Sequence, residues 1–160
     1  MRTKIRLGVV VVAAGMSTLT IAMPPAYADT GSVTIQGAGT ISPGLTTTPT
    51  TQFFSFSASG PIVDAGHPLL SGTYSCNING QSSTPEAILA GSGTFNGSCS
   101  GPTTVSLSGV YSRDGGYASW VLAGQIDGPI TASFTGACTT VPTSAPTIAS
   151  YRVACTLAFN

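Results

Sequence analysis

Hydrophobic and polar residues alternate one by one along most of the chain beyond residue 30. Such alternation is typical of β-strands, because successive side chains point to opposite faces of a sheet. The clearest run covers residues 151–159, and shorter runs include Val33 with Ile35 and Phe54 with Phe56. About eight runs of this kind are separated by turns that contain Gly or Pro, and none has the 3.6-residue period of a helix. The pattern therefore predicts an all-β fold.

A strand with one apolar face must bury that face against other strands. We therefore expect an antiparallel β-sandwich, Ig-like or related, with about eight strands. Residues 103–127 predict one of its hairpins, with the turn at 113–116 and Trp120 on the returning strand. A closed β-barrel is the alternative architecture, because counting strands does not distinguish it from a sandwich.

Each of the four cysteines follows an aromatic residue at an even offset, which places ring and sulfur on the same face of a strand. The pairs are Tyr74 and Cys76, Phe95 and Cys99, Phe134 and Cys138, and Tyr151 and Cys155. The apolar residues in the same registers indicate that these faces point into the core. Of the three possible pairings we expect Cys76–Cys99 and Cys138–Cys155, because each pair brackets one turn-rich connection. With no C-x-x-C motif and a single histidine, we expect no metal site and no cofactor.

The first 28 residues have the three parts of a secretory signal peptide. Three cations occur within the first six residues, the stretch 7–23 is largely apolar, and Ala26-Tyr27-Ala28 matches an A-x-A cleavage site. We therefore predict a signal peptide over residues 1–28 and a single secreted β domain over 29–160. An extracellular location also favours disulfide formation.

Residues 29–160 are poor in positive charge, because Arg113 and Arg152 are their only cations. They carry five carboxylates, namely Asp29, Asp64, Glu86, Asp114 and Asp127. This balance argues against binding to nucleic acids or, after signal cleavage, to membranes, which both attract clustered cations. Serine and threonine are abundant instead, so hydroxyl groups must solvate most of the surface. Such a composition is common in exported β proteins.

Residues suited to catalysis are few. His67 is the only histidine, and Asp64 precedes it by three positions, so a small hydrolase using His67 is one alternative function. The chain has no G-x-S-x-G motif, and His67 lies in a Gly- and Pro-rich segment typical of an exposed loop. We therefore expect that the protein is not an enzyme and assign no catalytic residues.

Binding is the stronger expectation. Tyr111, Tyr117 and Trp120 cluster around the predicted hairpin and would suit a carbohydrate-binding module that stacks rings on sugars. The competing interpretation places Trp120 in the core and Tyr117 over the turn. Partners consistent with the composition are cell-wall or extracellular polysaccharide, or a second copy of the chain through long uncharged strand edges. We expect a secreted, non-enzymatic domain that acts by binding or by association with the cell envelope.

One stretch carries a family resemblance. The segment GAGTISPGLTTTP at residues 37–49, followed by a Phe-rich strand, resembles small secreted β-domain proteins of filamentous actinobacteria. Those proteins share an opening of the form G-x-G-x-x-x-P-G-L-T-x-T-P and have no assigned activity. The resemblance implies an extracellular location and a β-rich fold, and it implies no catalytic residues.

Overall fold

The computed structural model describes residues 31–159, which form eight strands and one short 3₁₀ turn at Pro68–Leu70. Each strand pairs antiparallel with the next along the chain, and the last also pairs with the first, so the sheet closes into a barrel. The all-β, eight-stranded prediction is confirmed, and of the two predicted architectures the closed barrel is the one found. The strands are β1 (Ser32–Leu45), β2 (Phe53–Val63), β3 (Gly72–Ser82), β4 (Ala90–Ser100), β5 (Thr104–Asp114), β6 (Ser119–Asp127), β7 (Thr131–Pro142) and β8 (Ile148–Phe159).

Closure depends on the pairing of β1 with β8. Ser32 lies opposite Ala158, and the register continues to Gly39 opposite Tyr151. A sandwich would leave edge strands with unpaired backbone groups, whereas a closed barrel leaves none. Within residues 31–159 each strand is paired on both sides, and self-association of the chain stays a prediction.

The alternating pattern sorts side chains between the inside and the outside of the barrel. Inward positions are buried, and they include the cysteines and the aromatic residues that precede them. Cys76 is bonded to Cys99 across β3 and β4, and Cys138 to Cys155 across β7 and β8, which confirms the predicted pairing. In both bridges the partners lie directly opposite each other, with Cα atoms 4.0 Å apart. Two formed disulfides suggest an extracellular protein.

Several inward positions hold glycine, and an aromatic ring from the neighbouring strand covers the space a side chain would fill. A Cβ atom on Gly80 would lie 2.1 Å from Cζ of Phe54, and one on Gly93 would lie 2.6 Å from Cε1 of Tyr111. Such ring-over-glycine pairs allow a strongly curved sheet to close around large side chains. The same arrangement joins Gly39 with Tyr151, Gly109 with Phe95, and Gly124 with Phe134.

The predicted hairpin is correct except at its turn. Arg113 belongs to β5 and points into the barrel, whereas the sequence placed it in the turn. The chain instead reverses at residues 115–118, where Gly115 and Gly116 have φ values of 84° and 133°, a region that favours glycine.

The predicted signal peptide, residues 1–28, lies outside the described residues. Within residues 31–159 no helix is long and apolar enough to cross a membrane. The same described range contains no group of three or more His, Cys, Asp or Glu side chains placed to hold a metal ion.

Candidate functional site

One end of the barrel, which we call the mouth, is closed by the loops at 46–52, 83–89, 115–118 and 143–147. A charged pair lies buried there. Glu86, from the second of these loops, accepts a hydrogen bond from Nη2 of Arg113 at 2.8 Å and another from the hydroxyl of Tyr111 at 2.6 Å. The guanidinium group also lies 5.4 Å from the centre of the Trp120 ring. Neither charged side chain reaches solvent.

The backbone holds Glu86 in this position. The N–H of Thr50 donates to the carbonyl of Glu86 at 3.0 Å, and the N–H of Glu86 donates back at 2.8 Å. Arg113 further donates to the carbonyl of Ala87 at 3.2 Å. Because the two charges pair with each other and Arg113 also donates to backbone carbonyls of the 83–89 loop, the network fixes that loop over the mouth.

Burial raises the pKa of the Tyr111 hydroxyl well above its usual value of 10.0, and its hydrogen bond to the negatively charged Glu86 raises that pKa further. Burial likewise raises the pKa of Tyr151, whose ring stacks on Trp120. Both hydroxyls therefore stay protonated at neutral pH, and that of Tyr111 acts as a donor to Glu86.

The aromatic residues expected to bind sugars do come together, but mostly inside the barrel. Only 2% of Tyr111 and 5% of Trp120 is exposed, and the two ring centres lie 5.0 Å apart. Tyr117 is partly buried, and its carbonyl accepts a hydrogen bond from Nε1 of Trp120 at 3.0 Å. Inward-facing strand positions thus direct Tyr111 and Trp120 into the core, as the competing interpretation held for Trp120, and a binding role for the three rings stays a prediction.

The barrel interior is filled rather than hollow. A remaining cavity of about 30 Å³ is lined almost entirely by apolar and aromatic side chains, among them Phe56, Phe134 and Tyr151. A space of this size holds about one or two water molecules. Tyr151 lines this cavity, and its buried hydroxyl has no hydrogen-bond partner among the residues that the structure describes. A ligand larger than this cavity would therefore have to bind on the outside of the barrel.

His67 lies in the loop between β2 and β3, at the end of the barrel opposite the mouth. Its Nδ1 atom is 3.1 Å from Oδ2 of Asp64, whose carboxylate is buried while 43% of the His67 side chain is exposed. The nearby hydroxyl of Ser71 is bonded to the backbone of Asp64, donating to its carbonyl at 3.1 Å and accepting from its N–H at 3.0 Å. The structure therefore brings together an Asp–His pair and directs Ser71 to the backbone rather than to the imidazole.

The outer surface of β2–β5 forms a continuous face that we call the polar wall. Most of its side chains are short, uncharged hydrogen-bonding groups, and these align in rows across the strands. One row is Ser57, Asn77, Ser98 and Ser106, and the next is Ser55, Asn79, Asn96 and Ser108. Neighbours within a row are about 5 Å apart and rows about 7 Å apart, as strand spacing and rise dictate.

Phe53 adds an exposed aromatic ring to the polar wall. It begins β2 on the outward register, 54% of it is exposed, and it lies opposite Gln81 of β3. The alternating pattern singles out only its inward neighbours Phe54 and Phe56. The signal was nevertheless present, because residues that flank an inward phenylalanine in a strand must point outward.

Comparisons with models of protein families, with curated proteins and with solved structures found no match.

Proposed function

We propose that this protein is a secreted, non-enzymatic module that binds a neutral polysaccharide of the cell envelope or extracellular matrix through its polar wall. The observation that carries the proposal is the set of cross-strand rows of uncharged donors and acceptors, bordered by the exposed ring of Phe53. An export signal over residues 1–28 would deliver the domain to that location, and the two disulfides are suited to it.

The chemistry of the polar wall matches that of a sugar chain. Sugar polymers present many hydroxyl groups at regular spacing, and each neutral hydrogen bond contributes only about 1 kcal/mol net. A regular array compensates by making many such bonds at once. Serine and asparagine side chains also lose less rotamer entropy on binding than long charged ones. In one row the hydroxyl of Ser57 donates to Oδ1 of Asn77 at 2.7 Å, which leaves the Asn77 amide N–H groups for a ligand.

Sedimentation with insoluble polymers tests the proposal. The purified protein is mixed with cell wall, chitin and cellulose, and the bound fraction is measured after centrifugation. We expect binding to at least one polymer, and about a tenfold weaker affinity for a triple variant with Phe53→Ala, Asn79→Ala and Asn96→Ala. The matched control is Thr156→Ala, an outward substitution on β8 away from the polar wall.

Protein that stays in the supernatant with all three polymers would contradict the proposal. So would a triple variant that sediments as the unaltered protein does, because binding would then use another surface.

A hydrolase remains the second candidate function, and one observation favours it. The buried Asp64 carboxylate accepts a hydrogen bond from Nδ1 of the partly exposed His67 side chain, an arrangement that orients an imidazole for proton transfer through Nε2. The position of Ser71 weighs against it, since its hydroxyl is bonded to the Asp64 backbone.

A further inference from the structure

A shallow groove crosses the outer surface of β1, β8 and β7, on the side of the barrel away from the polar wall. Ala154 lies at its centre, directly opposite Gln36 on one neighbouring strand and Thr139 on the other. Because the alanine side chain is shorter than those of Gln36 and Thr139, the outer surface of the barrel is lower at this point. Arg152, two residues earlier on the same outward register, stands at one end of the groove beside Val141.

Arg152 is distinctive in its charge. Among residues 31–159 the only other arginine or lysine is Arg113, which is buried and paired with Glu86. Arg152 is exposed, and no carboxylate of the described residues forms an ion pair with it. Two of the four described carboxylates, Asp64 and Glu86, are themselves buried with partners.

A lone guanidinium in an otherwise uncharged groove attracts a single anionic group. Its planar fork of donors matches a carboxylate, which it holds through two parallel hydrogen bonds. One cation is too few for a polyanion such as a nucleic acid, whose affinity grows with the number of charges neutralised.

The rest of the groove fits a sugar ring. Its volume is about 380 Å³, within the range of sites for small molecules. Gln36 and Thr139 flank the alanine floor with an amide and a hydroxyl, which can donate to and accept from sugar hydroxyls. Ala154 and Val141 supply apolar surface against which the C–H groups of a sugar ring can pack.

We propose that this groove binds an acidic sugar, with the carboxylate on Arg152 and ring hydroxyls on Gln36 and Thr139. The site is separate from the polar wall and does not depend on it, so either proposal can fail while the other stands.

An NMR titration of the purified protein tests the site. Glucuronic acid and its short oligomers are added. Glucose serves as the uncharged control, and glucose 6-phosphate as the control that carries a phosphate in place of the carboxylate. We expect changes in amide chemical shift centred on Gln36, Thr139 and Ala154. The affinity for glucuronic acid should be about tenfold higher than that for glucose or for glucose 6-phosphate. Raising the salt concentration from about 0.05 M to about 0.5 M should weaken binding, since the charge is exposed to solvent.

Two variants separate charge from shape. Arg152→Gln removes the cation, and Ala154→Leu fills the groove while keeping the cation, so each should lower the affinity about tenfold or more. Arg152→Lys keeps the charge but loses the planar fork of donors, so its affinity for glucuronic acid should lie between those of the unaltered protein and Arg152→Gln. Gln125→Ala, an outward substitution on β6 that belongs to neither proposed site, is the control and should bind glucuronic acid as the unaltered protein does.

Equal binding of glucose, unchanged affinity in Arg152→Gln or Ala154→Leu, or shift changes confined to other surfaces would overturn the proposal. A preference for glucose 6-phosphate would overturn the assignment to a carboxylate.

Discussion

The Nη2 atom of Arg113 lies 2.8 Å from the Oε2 atom of Glu86, and both side chains are buried at the mouth of the barrel. Removing two charges from water costs several kcal/mol for each, and their mutual attraction offsets that cost only while both are present. The pair also joins the inner face of β5 to the 83–89 loop, two parts of the chain that pack together only in the folded barrel. Closure of the mouth by the 83–89 loop therefore depends on both Glu86 and Arg113.

Replacing one residue of the pair should therefore destabilise the folded protein. We expect Glu86→Ala to lower the free energy of unfolding by about 3–5 kcal/mol, because it leaves the Arg113 charge buried and unpaired. Urea unfolding followed by circular dichroism measures the change. The double variant with Arg113→Met should be more stable than Glu86→Ala alone, since no unpaired charge remains. A double variant as unstable as the sum of the two single changes would contradict this account.

The buried tyrosines predict a loss of stability at alkaline pH. The pKa values of Tyr111 and Tyr151 are raised in the folded protein, so above pH 10 the unfolded chain releases these protons first. The unfolded state then binds fewer protons than the folded state, and stability falls as the pH rises. The slope should approach about 1.4 kcal/mol per pH unit for each such tyrosine.

Phenolate absorbance and circular dichroism, recorded together during an alkaline titration, measure this effect. Most of the phenolate signal should appear as the barrel unfolds, and Tyr151→Phe should make the fall of stability with pH less steep. Full ionisation of every tyrosine in a protein that keeps its β signal would contradict the prediction.

The pairing of Gly80 with Phe54 predicts an intolerance of even the smallest side chain. A Cβ atom at Gly80 would lie 2.1 Å from the ring and 2.7 Å from the carbonyl oxygen of Thr94. We expect Gly80→Ala to lower the free energy of unfolding by about 1–3 kcal/mol, the usual cost of overpacking. The control is Ser75→Ala, an outward position on the same strand, which should change stability by less than about 0.5 kcal/mol.

Thermal or urea unfolding provides the comparison. Adding Phe54→Leu to Gly80→Ala should recover part of the loss, because the smaller side chain no longer occupies the same space. If Gly80→Ala and Ser75→Ala were equally stable, the ring would not be fixed over the glycine.

The position of Ser71 predicts the outcome of an activity screen. Because its hydroxyl is bonded to the backbone of Asp64, we expect no esterase, peptidase or glycosidase activity, and no difference between the unaltered protein and His67→Ala. A broad panel of chromogenic substrates makes the comparison. Activity that disappears in both His67→Ala and Asp64→Asn would instead establish the hydrolase.

Much of the fold could be predicted because the two-residue period assigns each strand residue to a face. It placed Tyr74 and Cys76 inside, and once the cysteines faced inward their pairing followed from the connections between them. Closure could not be predicted in this way. The period fixes which face a residue occupies, whereas the pairing of β1 with β8 joins segments more than a hundred residues apart.

The candidate binding surfaces were harder to foresee. Tyr111 and Trp120 were expected to serve as ligand-binding rings, although their own register already pointed them inward. Arg113 shares the register of Tyr111, which would have placed it inside the barrel, but the two following glycines suggested a turn. Glu86 gave no local signal of its role, since its partner arginine lies on a different strand.

The pairing of Ser32 with Ala158 brings the two ends of the described chain side by side, and the N–H of Phe159 donates to the carbonyl of Gly31 at 2.9 Å. A short peptide linker could therefore join these ends, and the chain could be cut instead in the glycine turn at 115–118. Such a circular permutant should fold to the same barrel with β5 and β6 as its terminal strands. It would move an attached reporter domain from one end of the barrel to the other without altering either outer surface.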